Sequence, residues 1–400
     1  FGICDRVEVT MKINEVKNRI IFERGVEDII DRDHFRKILS SGKKLRIKFG
    51  IDPTAPDLHL GHMVLLRKLL RFQNAGHKAV LIVGDFTARI GDPSGRSEER
   101  KMLSQKAIKH NMKTYFAQAG KILNMEKTEI RYNSEWFAAR DSLAKFFELL
   151  RAGSMQQILR RADFKTRLDA GYDVTVLEML YPLMQGYDSV VIKADVELGG
   201  SDQRFNLLMG RRVQRHFGIP EQDILIMPLL LGTDGTRKMS KSYGNYIALN
   251  EKPNNLFAKI MSVPDALVQK YFLLLTDLSD EEMKQIEKMH SLERKKRLAF
   301  EIVSFLHSEV AAERAQKNFE KTLSNKETPV NLKTFHARAG EEWANFLVRE
   351  KFVKSKSEAK RLIEGGGVDI NGRRILRAGG AVESGVVKIG KYKFIKVEVK

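Results

Sequence analysis

Residues 45–76 read LRIKFGIDPTAPDLHLGHMVLLRKLLRFQNAG. Leu45, Ile47, Phe49 and Ile51 alternate with basic and small residues, the period-two pattern of a strand. Pro53 and Pro56 then forbid regular structure. From Leu60 the period is helical, with Met63, Leu66, Leu69 or Leu70 and Phe72 on one face and Gly76 as C-cap. Strand, turn and helix within about 30 residues are the first part of a βαβ unit. The turn carries His59-Leu60-Gly61-His62. Two imidazoles thus flank a glycine where a helix begins, a place that favours an anion. As a metal pair, His59 and His62 lack the i,i+4 spacing and a near third ligand. As structural histidines they need no ligand. As phosphate ligands they gain from Gly61, which permits close approach.

The pattern continues outward. Residues 13–40 have helical spacing. Ala79–Val83 predicts a second strand, running into Gly84-Asp85. After the loop 86–100, with a capping-box pattern at 97–100, a helix is expected to residue 123. A strand is expected over 129–132, helices over 141–151, 154–161 and 174–187, and a strand over 189–194 (SVVIKA). A glycine-rich turn, 197–203, then leads into a helix to 217. The last strand is expected over 224–231. Strands alternating with helices imply an α/β, Rossmann-like parallel sheet with helices on both faces. Ligands in such sheets sit beyond the carboxyl ends of the strands. The turns with His59/His62, Thr87/Asp92, Asp202/Gln203 and the later lysines would open there.

The expected divisions are a catalytic unit over 11–250, an all-helical region over 251–324, a linker over 325–340 and a small α+β module over 341–400. That module holds 14 Lys and Arg against 8 Asp and Glu. Its Asn371-Gly372 is a hairpin signal. Met11 is expected as the native start, with residues 1–10 outside the native protein.

Four hundred residues exceed one ordinary core. No run approaches the roughly 18 apolar residues of a membrane span. The single cysteine, Cys4, excludes an internal disulfide and a cysteine-rich zinc site, and fits a reducing cytoplasm. A formal charge of +19 favours polyanionic partners through phosphate contacts.

Two further constellations carry chemistry. Lys238-Met239-Ser240-Lys241-Ser242 lies in a loop after the last strand. Its two ammonium groups and two hydroxyls suit a polyphosphate, and Gly232, Gly235 and Gly244 would let the loop move. Tyr181, Gln185 and Asp188 lie at spacings of four and three on one helical face within an apolar run. A buried acceptor such as Asp188 must find a donor. A phenolic hydroxyl supplies one, and a pocket built to pair it rejects phenylalanine.

HLGH and KMSKS together resemble the paired signatures of the class I aminoacyl-tRNA synthetases. With YxxxQxxD, GDPSG (91–95) and GGSDQ (199–203), residues 30–400 resemble the bacterial tyrosyl-tRNA synthetases, and 341–400 the S4 RNA-binding module. The resemblance implies ATP-dependent attachment of tyrosine to tRNA(Tyr) through a tyrosyl-adenylate. It implies a cytoplasmic homodimer, with tRNA(Tyr), L-tyrosine and ATP with Mg2+ as partners, and no protein-held metal, organic cofactor or membrane.

Carried over by motif, Asp188 would hold the tyrosine hydroxyl. Tyr181, Gln185 and Asp92 would hold its ammonium, with Thr87 nearby. Asp52 and Gln203 would position amino acid and nucleotide. Asp202 would reach the ribose. Thr54, His59 and His62 would bind the triphosphate in the transition state, and Lys238 and Lys241 the pyrophosphate. Gly50, Gly61, Gly200, Met239 and Ser240 complete the ATP contacts. In the better-known bacterial branch a tyrosine in the first strand also contacts the substrate hydroxyl. Here that position is Lys48, followed by Phe49, so the resemblance is to the second branch. Lys48 would either pair with Asp188 and tune its charge or point to solvent.

Overall fold

The computed structural model describes residues 21–94, 103–140, 142–324, 334–350, 352–353, 355–390 and 393–399. The expectations for residues 1–10, for a helix over 13–20, and for the cap at 97–100 lie outside them. The chain begins with β1 (Asp28–Ile30), α1 (Arg32–Ser40), β2 (Arg46–Ile51), α2 (Leu60–Asn74) and β3 (Lys78–Val83). Then come α3 (Gln105–Ala119), β4 (Glu129–Tyr132), α4 (Ser134–Phe137), α5 (Ser142–Arg151), α6 (Met155–Leu159) and α7 (Ala162–Asp169). The unit closes with α8 (Val176–Ile192), β5 (Val196–Gly200), α9 (Arg204–His216) and β6 (Asp223–Met227).

The sheet order is β1-β6-β5-β2-β3-β4. All neighbours run parallel except β1, which pairs antiparallel with β6. From β2 the chain grows outward through β3 and β4. It then returns to the other side of β2 and grows outward through β5 and β6. The switch point, where a ligand crevice opens at the carboxyl ends, therefore lies between β2 and β5. Alternation sorts side chains between the faces. Ile47, Phe49, Ile51, Val196 and Leu198 join one core, and Val80 and Ile82 join the other with α8 and α9. Lys48 and Glu197 are register partners on adjacent strands at the switch point.

Several expectations are corrected. Residues 28–30, expected as helix, form the edge strand β1. Residues 189–194 are not a strand. Ser189–Ile192 is the last turn of α8, whose capping box at Thr175 and Glu178 sets the phase, and Lys193 ends it in the left-handed region at φ 51°. Ser189 and Ile192 are buried on the continuing helical face, so packing overrides the strand propensity of a β-branched run. The strand is Val196–Gly200, which holds the two glycines expected in a turn, and the turn itself is only Ser201–Gln203. β6 stops at Met227, before Pro228. α3 starts beyond the Ser104 cap and ends at Ala119.

Five helices follow: α10 (Pro253–Met261), α11 (Val268–Leu275), α12 (Asp280–Glu287), α13 (Ser291–Leu306) and α14 (Glu309–Ser324). They are helical as expected, and Leu256, Phe257, Tyr271, Phe272 and Leu298 share one apolar cluster with Ile47 and Leu66. The last part holds β7 (Thr334–Ala337), α15 (Trp343–Arg349), α16 (Lys356–Glu364), β8 (Val368–Ile370), β9 (Arg373–Arg374), β10 (Gly385–Ile389) and β11 (Lys393–Val399). The expected linker is shortened, because β7 pairs in parallel with β11 at the sheet's edge. Asn371 and Gly372, both at positive φ, turn the chain from β8 to β9 as expected.

α8 and α9 meet closely. A Cβ on Gly186 would lie 2.9 Å from Val213 Cγ2 and 3.2 Å from Gly210 Cα. Gly186→Val should therefore overpack this contact and cost roughly 1–3 kcal/mol, read as a lower thermal midpoint with unchanged far-ultraviolet circular dichroism.

Candidate active site

A cleft of ≈ 300 Å³ opens at the switch point. Every residue given a role by the resemblance lines it except Lys241, which is exposed on the lysine loop. At the base of the cleft, Asp188 is buried and its Oδ1 accepts from Trp136 Nε1–H at 3.0 Å. Burial raises its pKa to about 7, against the opposing pull of the Lys48 ammonium and the Trp136 hydrogen bond.

Lys48 neither reaches solvent nor ion-pairs with Asp188. Fully buried, it pairs with Glu197 Oε1 at 2.8 Å. It donates to Gln185 O at 2.7 Å and to Ser189 Oγ at 2.7 Å. The Gln185 amide donates to Glu197 Oε1 at 3.2 Å.

A second set of acceptors lies along the side. Asp52 Oδ2 accepts from the Tyr181 hydroxyl at 3.0 Å and Oδ1 from the Thr87 hydroxyl at 2.8 Å. Burial first, then Asp52, raises the Tyr181 pKa well above its ordinary value, so it remains a donor. Gly84 makes this packing possible, since a Cβ there would lie 1.9 Å from Asp52 Oδ1. Asp92 Oδ2 accepts from Gln203 Nε2–H at 2.6 Å. Behind it, Asn206 donates to Gln203 Oε1 at 2.9 Å and accepts from Arg161 at 2.8 Å.

The rim carries the histidines and lysines. His59 caps α2. Its Nδ1 accepts from Gly61 N–H at 3.1 Å, and His62 Nδ1 accepts from His59 N–H at 3.2 Å. With both Nδ1 atoms accepting, each neutral ring carries its proton on Nε2. Burial pushes His62 down to about 4, and burial with the His62 neighbour pushes His59 well below its ordinary value. The rim therefore offers neutral N–H donors.

The lysine loop is tied to these histidines through the backbone. Leu60 N–H donates to Ile247 O at 3.0 Å and Leu249 N–H to Leu58 O at 2.9 Å. Asn245 organises the loop, donating to Lys238 O at 3.1 Å and accepting from Ser240 N–H at 2.8 Å. Lys238 Nζ reaches Asp202 Oδ2 at 2.7 Å.

Sequence reasoning missed Glu197, Trp136, Gly84, Asn206 and Asn245. A glutamate inside the apolar run 196–200 was a usable signal for the first; nothing local marked Trp136 or Asn245. Among the described residues, Asp31, His34 and Asp223 lie close enough together to hold a metal ion. They sit around the amino end of β6, opposite the cleft, with Arg211 3.7 Å from Asp31. No helix among the described residues is long and apolar enough to cross a membrane.

Residues 40–324 match the model of the tRNA synthetases class I (W and Y), and 344–387 match the S4 domain. A tyrosine–tRNA ligase of Aquifex aeolicus is 47% identical over 386 residues, 94% of this chain and 97% of that one. That of Dehalococcoides mccartyi strain 195 is 46% identical over 395 residues, 96% and 100%. Among solved structures, the C-terminally truncated mitochondrial tyrosyl-tRNA synthetase of Aspergillus nidulans matches with a TM-score of 0.66 at 22% identity, over 78% of this chain and 99% of that one. The last likeness concerns the fold alone. The chain belongs to the class I tRNA synthetases of the W and Y group. Within that group it is a member of the tyrosine–tRNA ligase family.

In the role expected of it from the sequence, Asp188 would accept from a phenol, and that role requires the ionised carboxylate. Since Asp188 titrates near 7, kcat/KM for tyrosine in pyrophosphate exchange should fall as pH drops below about 7, toward about tenfold per pH unit. His62, near 4, titrates too low to produce that limb. A flat profile from pH 5.5 to 8.5 would contradict the assignment.

Proposed function

We propose that the cleft holds tyrosine with its phenol on Asp188 and its ammonium among Tyr181, Gln185, Asp92 and Thr87. The α-phosphate of ATP would lie beside Asp52 and Gln203, and the triphosphate along His59, His62, Thr54 and the lysine loop. The chain attaches tyrosine to tRNA in two steps through a tyrosyl-adenylate, releasing pyrophosphate and then AMP. The observation that carries the site assignment is the backbone pairing of 58–60 with 247–249. It supports the reading by holding the segment of His59 and His62 and the end of the lysine loop on one rim, with a buried acceptor below.

The tyrosine carboxylate attacks the α-phosphate directly. It is already charged and needs no base, so the rate comes from positioning and from donors to the developing phosphate charge. Nε2–H groups of two neutral histidines meet that charge without bringing cations that bind ground-state ATP tightly. Lys238 is paired with Asp202. When the ATP ribose takes Asp202, the ammonium is released toward the phosphates, and closure of the loop brings Lys241 in from solvent. Mg2+ enters as part of the ATP substrate. A ribose hydroxyl at the tRNA 3′ end then attacks the activated carbonyl. Residues 251–324 and the S4-like module over 341–400 are proposed as the tRNA-binding regions, in the cytoplasm.

The family resemblance implies a homodimer. Leu143, Phe147, Met155 and Val176 expose large apolar side chains on α5, α6 and the start of α8, a surface for a second copy.

His62→Ala should lower the adenylation rate by roughly 10²–10³ while tyrosine KM stays within about twofold, measured by pyrophosphate exchange. Exchange with each of the twenty amino acids should proceed with tyrosine alone; equal losses of rate and affinity in the variant would overturn the histidine assignment. Phe147→Asp should shift the chain from dimer to monomer in sedimentation velocity, and a wild-type profile would exclude that surface.

A further inference from the structure

We propose that Lys48 and Glu197, paired across β2 and β5 beneath the cleft, are positioning residues that make the site selective for a phenol. They do so by fixing the turn of α8 that carries Asp188. The proposal rests on Asp188 as the phenol acceptor.

The geometry is a closed ring. The three ammonium protons of Lys48 meet three acceptors: Glu197 Oε1 at 2.8 Å, Gln185 O at 2.7 Å and Ser189 Oγ at 2.7 Å. Glu197 in turn accepts from the Gln185 amide at 3.2 Å, from the Ser189 hydroxyl at 3.2 Å and from the Gln222 amide. Gln185 and Ser189 are one helical turn apart, and Asp188 lies between them. Both ends of that turn are thus bolted to the two strands that flank the switch point. Trp136 holds Asp188 from the other side at 3.0 Å. The Gln185 amide, which faces the substrate ammonium in the proposed mode, is aimed by Glu197. α9 passes close beneath, since a Cβ on Gly210 would lie 2.6 Å from Gln222 Nε2 and 3.2 Å from Glu197 Oε2.

Charge adds to position. The charged and titratable groups around Asp188 are Lys48 on β2, Glu197 on β5, Asp52 beyond β2, Tyr181 on α8 and Asp92 in the loop after β3. Lys48 is the one cation among them. It favours the ionised carboxylate, while Glu197 and Asp52 oppose it. Stability does not explain the pair, because a buried ion pair exchanged for neutral groups of similar volume is often neutral or better. Selection of a hydroxyl does, because discrimination against phenylalanine depends on an acceptor held in place and left unpaired when the hydroxyl is missing.

The test uses the full chain in pyrophosphate exchange. The double variant Lys48→Met/Glu197→Gln removes both charges at once and should fold. Its tyrosine KM should rise at least about tenfold with kcat changed less than about threefold, and the tyrosine-over-phenylalanine ratio should fall by a similar factor. KM and ratio within about twofold of wild type would overturn the proposal. The single variant Lys48→Met, where it folds, should move the acid limb of kcat/KM to higher pH, and an unmoved limb would remove the charge contribution; where it does not fold, the double variant decides. Asp188→Asn separates the two readings. If it keeps wild-type tyrosine selectivity, the phenol assignment itself fails. If it loses selectivity while the double variant keeps it, only the role of the pair fails.

Discussion

The sheet divides between β2 and β5. The chain winds outward on both sides of this line, so the loops leaving the two strands diverge and a crevice opens at their carboxyl ends. A crevice at a divide also takes away covering side chains, and the strands beneath it need another tie. Here the tie is ionic. Lys48 and Glu197 face each other in register with all of the ammonium's protons bonded. Because the same ring of hydrogen bonds holds α8, the floor of the cleft and the helix with Tyr181, Gln185 and Asp188 form one unit. Gly210 and Gly186 bring α9 close enough to complete it.

The rim depends on a different constraint. Its two motifs are far apart in the chain, yet a short antiparallel backbone contact between 58–60 and 247–249 sets their separation. The histidines have little freedom inside this frame. Each spends Nδ1 on a helix N-terminal amide and keeps Nε2–H for a ligand. Burial holds them neutral. The lysine loop is held by Asn245 and by Met239 N–H, which donates to Leu230 O at 2.7 Å, and within it Lys241 is exposed. A pair of neutral donors facing a loop of cations suits a reaction whose charge grows at the phosphates and is then carried away on pyrophosphate.

Much of this was legible in the sequence because it rests on local rules. Period-two alternation gave β2, a short apolar run gave β3, and helical spacing gave α2. The helical period from Leu60 marked a helix start at His59 and His62, and Tyr181, Gln185 and Asp188 fell on one face by spacing alone. The failures share a cause. Residues 189–192 have the composition of a strand, but the phase of a capped helix and the burial of its inner face decide their state. Residues 334–337 look like a linker until β11 arrives to pair with them. Lys48 was open between substrate tuning and solvent, because its partner lies 149 positions away on a strand placed wrongly.

What the sequence determined by itself is the set of chemical groups and their local posture, since capping, turn chemistry and side-chain periodicity act over a few residues. It determined that a helix start flanked by two histidines, a lysine-serine loop and a buried acceptor on an apolar helix exist. Only the tertiary structure decided how these meet. Strand order put β5 beside β2, burial raised Asp188 and silenced the histidines, and Lys48 found Glu197 in place of water. Those outcomes depend on desolvation and on contacts between distant segments. Both are properties of the packed molecule and of no short stretch within it.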